Sequence, residues 1–526
     1  MLSRRSFLAA AAGAAAVGAL SACSDDDGGD RDDGASSGTA GEPASTIPVP
    51  ALAGPPFTLG VASGDPLHDR VVLWTRLAPE PTSGGGMPDA DVPVRWELAR
   101  DEGLREVVAE GVATATTAHG HSVHVDVDGL DPVTTYWYRF TVGDFESPVG
   151  RTRTLPAPGD STERLAFAFA SCQNRQDGYW TAYPHLVEED LDFVLFLGDY
   201  IYESGPNPAK LRPHPPQARD LAGYRDRYGL YKGDPGLQAA HAAYPWLVIW
   251  DDHEVDNDYA GDVPEEPDEA FLERRAVAYQ VWWEHNAVRL DPPDGAELVI
   301  HRSFEVGDLA RIFLLDGRQY RSDQPCEADI GPVCESGDDP ARTLLGDEQE
   351  SWLFEGLDRS DARWNVLAQP VVMSKVAVPL GETTLFNLDQ WDGYVPARTR
   401  LLDHLGQGQA TNPIVLSGDI HVSGVGDLMA DFDDPGSEVV GAEFVVTSIS
   451  SLFEPAFIDI FEAALAANPH VKYGEARSRG YVRCEVTPES WRADFRYVDG
   501  IDTETSPIRT ASSWVVEDGR PGVRST

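Results

Sequence analysis

The sequence predicts an α/β catalytic body preceded by a small all-β sandwich. Three observations carry that expectation. Short alternating runs recur between turn signals from about 55 to 155, apolar strand-like runs alternate with helical or loop-rich stretches beyond 160, and four of those later runs end in side chains that bind metals or move protons. Composition agrees, because 42% of the 526 residues are hydrophobic and 13 are Trp, enough to bury large cores. The 87 Asp+Glu against 41 Lys+Arg give a formal charge of −46, which repels phosphate backbones and welcomes metal cations. A broad grip on nucleic acid is therefore excluded. Attack on phosphate esters is not, provided bound cations invert the local field.

Residues 1–23 read as an export signal. The Arg4-Arg5 pair with Phe7-Leu8 looks like a twin-arginine signal, the apolar stretch after it is too short to span a bilayer, and Leu20-Ser21-Ala22-Cys23 resembles a lipobox. Residues 24–54 are rich in Asp, Gly, Ser and Pro without apolar periodicity and read as a disordered linker. The expected sandwich, 55–155, contains Val71–Trp74, Val92–Trp96 and His124–Val127, and Leu130-Asp131-Pro132 ahead of Thr134–Phe140 resembles the tyrosine-corner region of immunoglobulin-like and fibronectin-like sandwiches. Leu155–Gly159 reads as the linker out of it. The catalytic body is expected over 160–510, with helices over 268–289 and 346–357, and 511–526 is expected as a C-terminal tail. In an oxidising compartment Cys326 and Cys334, in a loop rich in Asp, Pro and Gly, form the natural disulfide pair. Cys484, in the alternating run Gly480–Val486, reads as a packed core thiol.

The chemistry gathers at four strand ends. Leu165–Ala170 runs into Ser171-Cys172, Phe193–Leu197 into Gly198-Asp199-Tyr200-Ile201-Tyr202-Glu203, Trp246–Trp250 into Asp251-Asp252-His253-Glu254, and Pro413–Leu416 into Ser417-Gly418-Asp419-Ile420-His421. An acid after one buried strand is usually a cap or turn former. Four such ends are different, because α/β sheets bind ligands beyond the carboxyl ends of their strands, where these side chains would converge on a shared metal site. Carboxylates suit hard cations, whereas imidazole, thiolate and phenolate suit iron or a borderline metal, so a mixed site is expected. Two cations close together can activate a water and clamp the oxygens of an in-line displacement at phosphorus. Arg175 has the fork geometry to grip a phosphate oxygen. Asp316 and Arg318, ending a fifth run, suggest an ion pair that scaffolds the site, and Trp391-Asp392-Gly393-Tyr394 reads as a loop near the cleft mouth.

Ala170-Ser171-Cys172-Gln173, Gly198–Glu203, Trp250–Val255, Leu315–Tyr320 and Trp391–Tyr394 together resemble the PhoD-type alkaline phosphatases of the calcineurin-like metallophosphoesterase superfamily. The resemblance spans about 55–510. It implies a two-sheet α/β sandwich in α/β/β/α layers behind the N-terminal sandwich, with Fe³⁺ and Ca²⁺ as cofactors. It also implies that Asp199 bridges the metals, that Tyr202 and Cys172 are iron ligands, that Asp252 binds the second metal, and that Asp419 and His421 complete the set. By the same analogy His253 protonates the leaving alkoxide.

The expected function is thus an exported, metal-dependent phosphatase that cleaves phosphate monoesters or diesters by attack of a metal-bound hydroxide on phosphorus. One alternative is a phosphodiesterase with phospholipase D-like action on phospholipid head groups, placed beside its substrate by a membrane anchor on Cys23. A second is a non-catalytic, calcium-binding surface lipoprotein. That one is disfavoured because dispersed acids would not need a Cys, a Tyr and two His at strand ends. The protein is expected to be a cell-surface lipoprotein or secreted or periplasmic, and a monomer.

Overall fold

The computed structural model describes residues 50–526 apart from 53 and 435. The expected export signal, Cys23 and all but the last residues of the expected linker lie outside the described residues. Among those described, no helix is long and apolar enough to cross a membrane.

Two sheets form the body. In the larger, ten strands run in the order Arg520–Ser525, Ile508–Glu517, Ser490–Val498, Arg479–Val486, Leu165–Ala170, Phe193–Leu197, Pro245–Ile249, Val61–Gly64, Val71–Arg76, Ser122–Val127. Its centre is a parallel run from Leu165–Ala170 to Val61–Gly64. These central strands are buried on both faces, which is why they read as continuous apolar runs rather than alternating ones. The second sheet has seven strands, and Ala310–Leu314, Trp364–Ala368, Pro413–Ser417 and Val439–Val445 are parallel in it.

Side-chain alternation on the second sheet separates two cores. Ile312, Leu314, Val366, Ile414 and Leu416 join the large core that also holds Phe167, Phe169, Val194 and Phe196 of the first sheet. Phe313, Leu367 and Val415 point the other way, onto Leu353 and Leu357 of the helix Asp347–Asp358 and Leu401 and Leu405 of the helix Val395–Gly406. The helix expected over 268–289 spans Phe271–His285, and that expected over 346–357 spans Asp347–Asp358. The sheets meet at their carboxyl edges through a parallel bridge between Ser171 and Ser448, where the Ile449 N–H donates to the Ser171 carbonyl at 3.0 Å.

Two expectations about organisation change. The strands of 55–155 are divided between sheets: Val61–Gly64, Val71–Arg76 and Ser122–Val127 extend the large sheet, and Val61–Gly64 pairs directly with Pro245–Ile249. The remainder form a five-stranded sheet, and Val71, Leu73 and Val125 pack against its Val94, Tyr138 and Phe140. The Tyr136 hydroxyl accepts the Asp131 N–H at 2.9 Å, the tie to upstream backbone expected of that segment. Residues 511–526 are no tail: Ile508–Glu517 and Arg520–Ser525 close one edge of the large sheet, with Trp514, Val516 and Val523 buried. Their period-two spacing was the available signal. Cys326 and Cys334 are disulfide-bonded, and Cys484 is a buried free thiol.

Because three strands of the N-terminal segment complete the catalytic sheet, its removal should expose the edge of Pro245–Ile249. A chain beginning at residue 157 is expected to lose its cooperative thermal transition in calorimetry, whereas a detachable module would leave that transition in place.

Candidate metal centre

The parallel strands of both sheets end at one edge, and the residues that follow them carry the candidate ligands. Cys172 follows Leu165–Ala170, Asp199 follows Phe193–Leu197, Asp251 and Asp252 follow Pro245–Ile249, and Asp419 and His421 follow Pro413–Ser417. Four of these, Cys172, Asp199, Asp419 and His421, have positive φ, between 56° and 62°. For non-glycine residues that costs of order 1–3 kcal/mol each and persists only where surrounding contacts enforce it. The enforcing contacts are visible. Glu254 is buried and its carboxylate accepts the N–H groups of Asp199 (3.0 Å), Tyr200 (2.5 Å) and Asp251 (2.9 Å), so one side chain fixes two strand-end loops. Gly198 lets them approach, since a Cβ there would lie 2.5 Å from Asp251.

The side chains converge. Ligand atoms of Cys172, Asp199 and His421 lie within 4.8 Å of one another, as do those of Asp199, Asp252 and His253 and those of Asp251, Asp252 and Asp419. The Tyr202 hydroxyl donates to Asp199 at 2.7 Å, accepts from Ser451 Oγ at 2.7 Å and stands 3.1 Å from His421 Nε2. His421 Nδ1 faces the Leu452 carbonyl at 3.3 Å. A carbonyl only accepts, so Nδ1 carries the hydrogen and Nε2 is left as a lone-pair donor towards the cluster. Burial, then Arg479, pushes the His421 pKa down to about 3, which keeps the imidazole neutral.

Compensation for the acids comes from the opposite wall. Arg318, itself buried, donates to Asp251, pairs with Asp389 at 2.8 Å and lies 3.7 Å from Asp252. Asp252 also accepts the Asp258 N–H at 2.7 Å, and Gln390 donates to Asp419. Burial favours a neutral Asp252, but Arg318 and His253 outweigh it and hold the carboxyl well below the usual range. Asp199 goes the other way: burial, then repulsion from Asp252, raises it well above the ordinary carboxylate value. His253 Nδ1 sits 2.8 Å from Glu203 Oε2, and although burial opposes its charge, Asp252, Glu203 and Asp199 keep its pKa high.

A cation fits this donor set. Asp199 Oδ1, Asp251 Oδ2 and Asp252 Oδ1 are buried without a hydrogen-bond partner, and Asp252 Oδ1 has a guanidinium near it, Arg318 Nη2 at 3.7 Å, an arrangement that costs free energy unless a further cation faces them. Burial and Asp199 also push the Cys172 thiol and the Tyr202 phenol well above their ordinary pKa values, so a nearby cation is required to make either one a ligand anion.

Of the residues expected at the site, Cys172, Asp199, Tyr202, Asp252, His253, Asp419 and His421 are brought together. Arg175 is not: its Nη1 donates to the Pro213 carbonyl at 2.6 Å, and its charged neighbours are Arg212 and Asp234. The expected Asp316–Arg318 ion pair is also absent. Asp316 instead accepts the Trp250 Nε1–H and the Arg318 and Gln319 backbone N–H groups, which leaves the guanidinium for Asp251 and Asp389. Trp391 and Tyr394 are buried in the core rather than at a cleft mouth. Residues not assigned from sequence include Asp251, Glu203, Glu254, Asp389, Gln390, Ser451 and Arg479. Asp251, Glu203 and Glu254 lay inside the strand-end runs, while Ser451 and Arg479 carry no local signal.

Comparison with known proteins matches this architecture. The family model described as PhoD-like phosphatase matches residues 167–495, and that of the PhoD-like phosphatase N-terminal domain matches 42–156. The chain is 46% identical over 486 residues to alkaline phosphatase D of Bacillus subtilis (strain 168), covering 90% of this chain and 83% of that protein. A solved structure of PhoD superposes with a TM-score of 0.88 at 45% identity, covering 91% of this chain and 93% of the other. A shorter likeness, 32% over 98 residues, links it to purple acid phosphatase 23 of Arabidopsis thaliana, covering 18% of this chain and 20% of that protein.

Burial, then Asp252, raises Asp419 to a pKa of about 6, so in the cation-free protein this carboxyl is protonated below that pH and ionised above it. A ligand must be deprotonated to bind. Calorimetric titration of metal-stripped protein should therefore show cation affinity falling from pH 7 to pH 5, by at least about tenfold per pH unit below about 6, since Asp419 adds its proton to those that the other ligands release. An affinity constant from pH 7 to pH 5 would contradict this.

Proposed function

The chain belongs to the PhoD-like phosphatase family, and on that premise we propose that it is an exported, metal-dependent phosphatase whose buried strand-end carboxylates hold its cations. It is a phosphoric ester hydrolase acting on small-molecule phosphate esters. The observation that carries the metal reading is the trio of buried carboxylate oxygens on Asp199, Asp251 and Asp252 that accept no hydrogen bond. Cys172, Asp199, Tyr202 and His421 would hold one cation, for which thiolate, phenolate and imidazole favour Fe³⁺. Asp199, Asp252 and Asp419 would hold a second, for which hard oxygen donors favour Ca²⁺. Bound there, the cations supply Lewis acidity towards the phosphoryl oxygens and acidify a water for attack at phosphorus.

The chain's own groups do the rest. Glu203 fixes the His253 ring through Nδ1, leaving Nε2 to deliver a proton to the departing oxygen. The Asp258 N–H and Arg318 hold Asp252, Gln390 holds Asp419, and Glu254 holds the loop that carries Asp199. The step balances when the water oxygen bonds phosphorus and gives one proton to solvent, the ester P–O bond breaks, and the departing alkoxide takes the His253 proton, which solvent then restores. The same reading takes the two packed sheets and their helices as metallophosphoesterase α/β/β/α layering, with the five-stranded sheet as the outer half of an immunoglobulin-like sandwich. It takes Arg4-Arg5 as a twin-arginine export signal and Cys23 as the site of a lipid anchor, on a monomer outside the cytoplasm.

Purified enzyme should show a visible tyrosinate-to-iron absorption band that disappears in Tyr202→Phe; colourless, iron-free and fully active protein would end the iron assignment. His253→Asn should lower kcat by about 10²–10⁴ while metal content measured by mass spectrometry stays unchanged. Chelation should abolish turnover, iron or calcium returned alone should fail to restore it, and the two returned together should succeed.

A further inference from the structure

Two carboxylates of the centre, Asp252 and Asp419, are held from a segment that takes no part in the chemistry. Cys326 and Cys334 close residues 326–334 into one loop. Within it Ile330–Gly331 pairs antiparallel with Phe386 and Asn387, and the Asp329 carbonyl accepts the Leu388 N–H at 2.6 Å. Asp389 and Gln390 follow at once. Asp389 Oδ1 accepts from Arg318 at 2.8 Å and from Arg321 at 2.7 Å, and Gln390 donates to Asp419. At the base of the loop the buried Gln324 amide donates to Asp389 Oδ1 and to the Asp258 carbonyl, both at 2.7 Å. The Asp258 N–H in turn donates to Asp252 at 2.7 Å. One loop therefore stands behind both carboxylates. Cys172, Tyr202 and His421 are tied instead to another segment, through Ser451 and Leu452.

Packing alone gives this loop little order. Its strand is two residues long, Ile330 is 48% exposed, and Leu380, on the far strand of the same three-stranded sheet, is 56% exposed. Pairing on that scale at a surface is marginal in water. The covalent bond between Cys326 and Cys334 supplies the order that a core would otherwise give, by removing most of the freedom of the nine residues it encloses.

We propose that the disulfide-closed loop 326–334, with Gln324 at its base, is a positioning element for the second cation, setting how tightly Asp252 and Asp419 hold it without affecting the cation at Cys172, Tyr202 and His421. The proposal rests on the two-cation reading above and deepens it, assigning one cation's affinity to a part of the chain that touches neither cation. Groups behind a metal's carboxylates fix their direction, and losing such a group weakens the metal by about 10- to 100-fold. Gln390 keeps a further tie, its Oε1 accepting the Val372 N–H at 2.7 Å, so the expected effect is a weakening and not a loss.

The test compares the wild type with two variants. Cys326→Ser/Cys334→Ser opens the loop, and Gln324→Met keeps the disulfide but removes both amide donations. Calcium is withdrawn from each holoenzyme with a calcium-selective chelator and titrated back in a calorimeter. Affinity in both variants should fall about 10- to 100-fold, and the calcium concentration giving half-maximal turnover should rise by the same factor. At saturating calcium kcat should return to the wild-type value. The metal retained after chelation, measured per chain by mass spectrometry, should equal that of the wild type. A double-Ser protein with a lower thermal midpoint but unchanged calcium affinity would make the disulfide a surface staple and overturn the proposal. Loss of the retained metal together with calcium in Gln324→Met would also overturn it, because the effect would then not be confined to one cation. Both results leave the two-cation reading standing. Failure of the wild type itself to take calcium back would overturn that reading, and the positioning role with it.

Discussion

Packing Asp199, Asp251, Asp252 and Asp419 into one volume sheltered from water is the constraint on which the centre depends. Ligand atoms within 4.8 Å of each other repel by about 3–4 kcal/mol per ionised pair at an effective dielectric constant near 20. Among the described residues Arg318 is the one guanidinium paired directly with this group, and it is shared with Asp389. One cation cannot neutralise so many acids, and the raised pKa values of Asp199, Asp251 and Asp419 express the remainder. The residual repulsion is larger than any one backbone strain at the site, so the arrangement makes physical sense as a receptor for multivalent cations and little sense as a stabilising device.

That electrostatic load explains why so much of the surrounding chain is fixed by hydrogen bonds rather than by packing alone. Glu254 spends its carboxylate on three backbone N–H groups and contributes no ligand, yet it places Asp199 in its unusual conformation. Burial raises its own pKa to about 7, the cost of using a carboxylate as a brace in a dry site. Glu203 does the same for His253, and Asp389 does it for the guanidiniums of Arg318 and Arg321. Asp199, Asp252, Asp419 and His253 thus each have a second group behind them, and those groups, Glu254, Arg318, Gln390 and Glu203, are themselves buried.

Sequence alone made the strand ends legible because parallel strands buried on both faces leave unmistakable apolar runs; Leu165–Ala170 and Phe193–Leu197 coincide with the observed strands. The ligand types followed, since Cys, Tyr and His after such runs have few structural uses. What sequence hid was direction. Arg175 sits three residues beyond Cys172, but whether its side chain turns inward depends on Pro213, nearly forty residues away. The partner of Arg318 was misjudged for the same reason: the near acid, Asp316, is consumed by backbone and Trp250 donors, and the guanidinium reaches across to a different strand end. The outer strands beyond 508 carried only a short period-two signal at Trp514 and Val516, since the edge of a sheet is otherwise polar.

The junction between the sheets ties these threads together. Ser171 and Ser448 bridge the two sheets one residue before Cys172, and Ser451, three residues past Ser448, hydrogen-bonds both the Cys172 carbonyl and the Tyr202 hydroxyl. In the same short segment the Ser450 N–H donates to the Cys172 carbonyl at 3.4 Å, and the Ser450 hydroxyl accepts the Trp180 Nε1–H at 3.1 Å and donates to the Asn174 carbonyl at 2.8 Å. A slip of one residue in the pairing of either sheet would therefore move the thiol relative to the phenol and the imidazole, because side chains alternate across a strand. The register of two extended sheets, set far away by their apolar cores, is what brings Cys172, Tyr202 and His421 to one point.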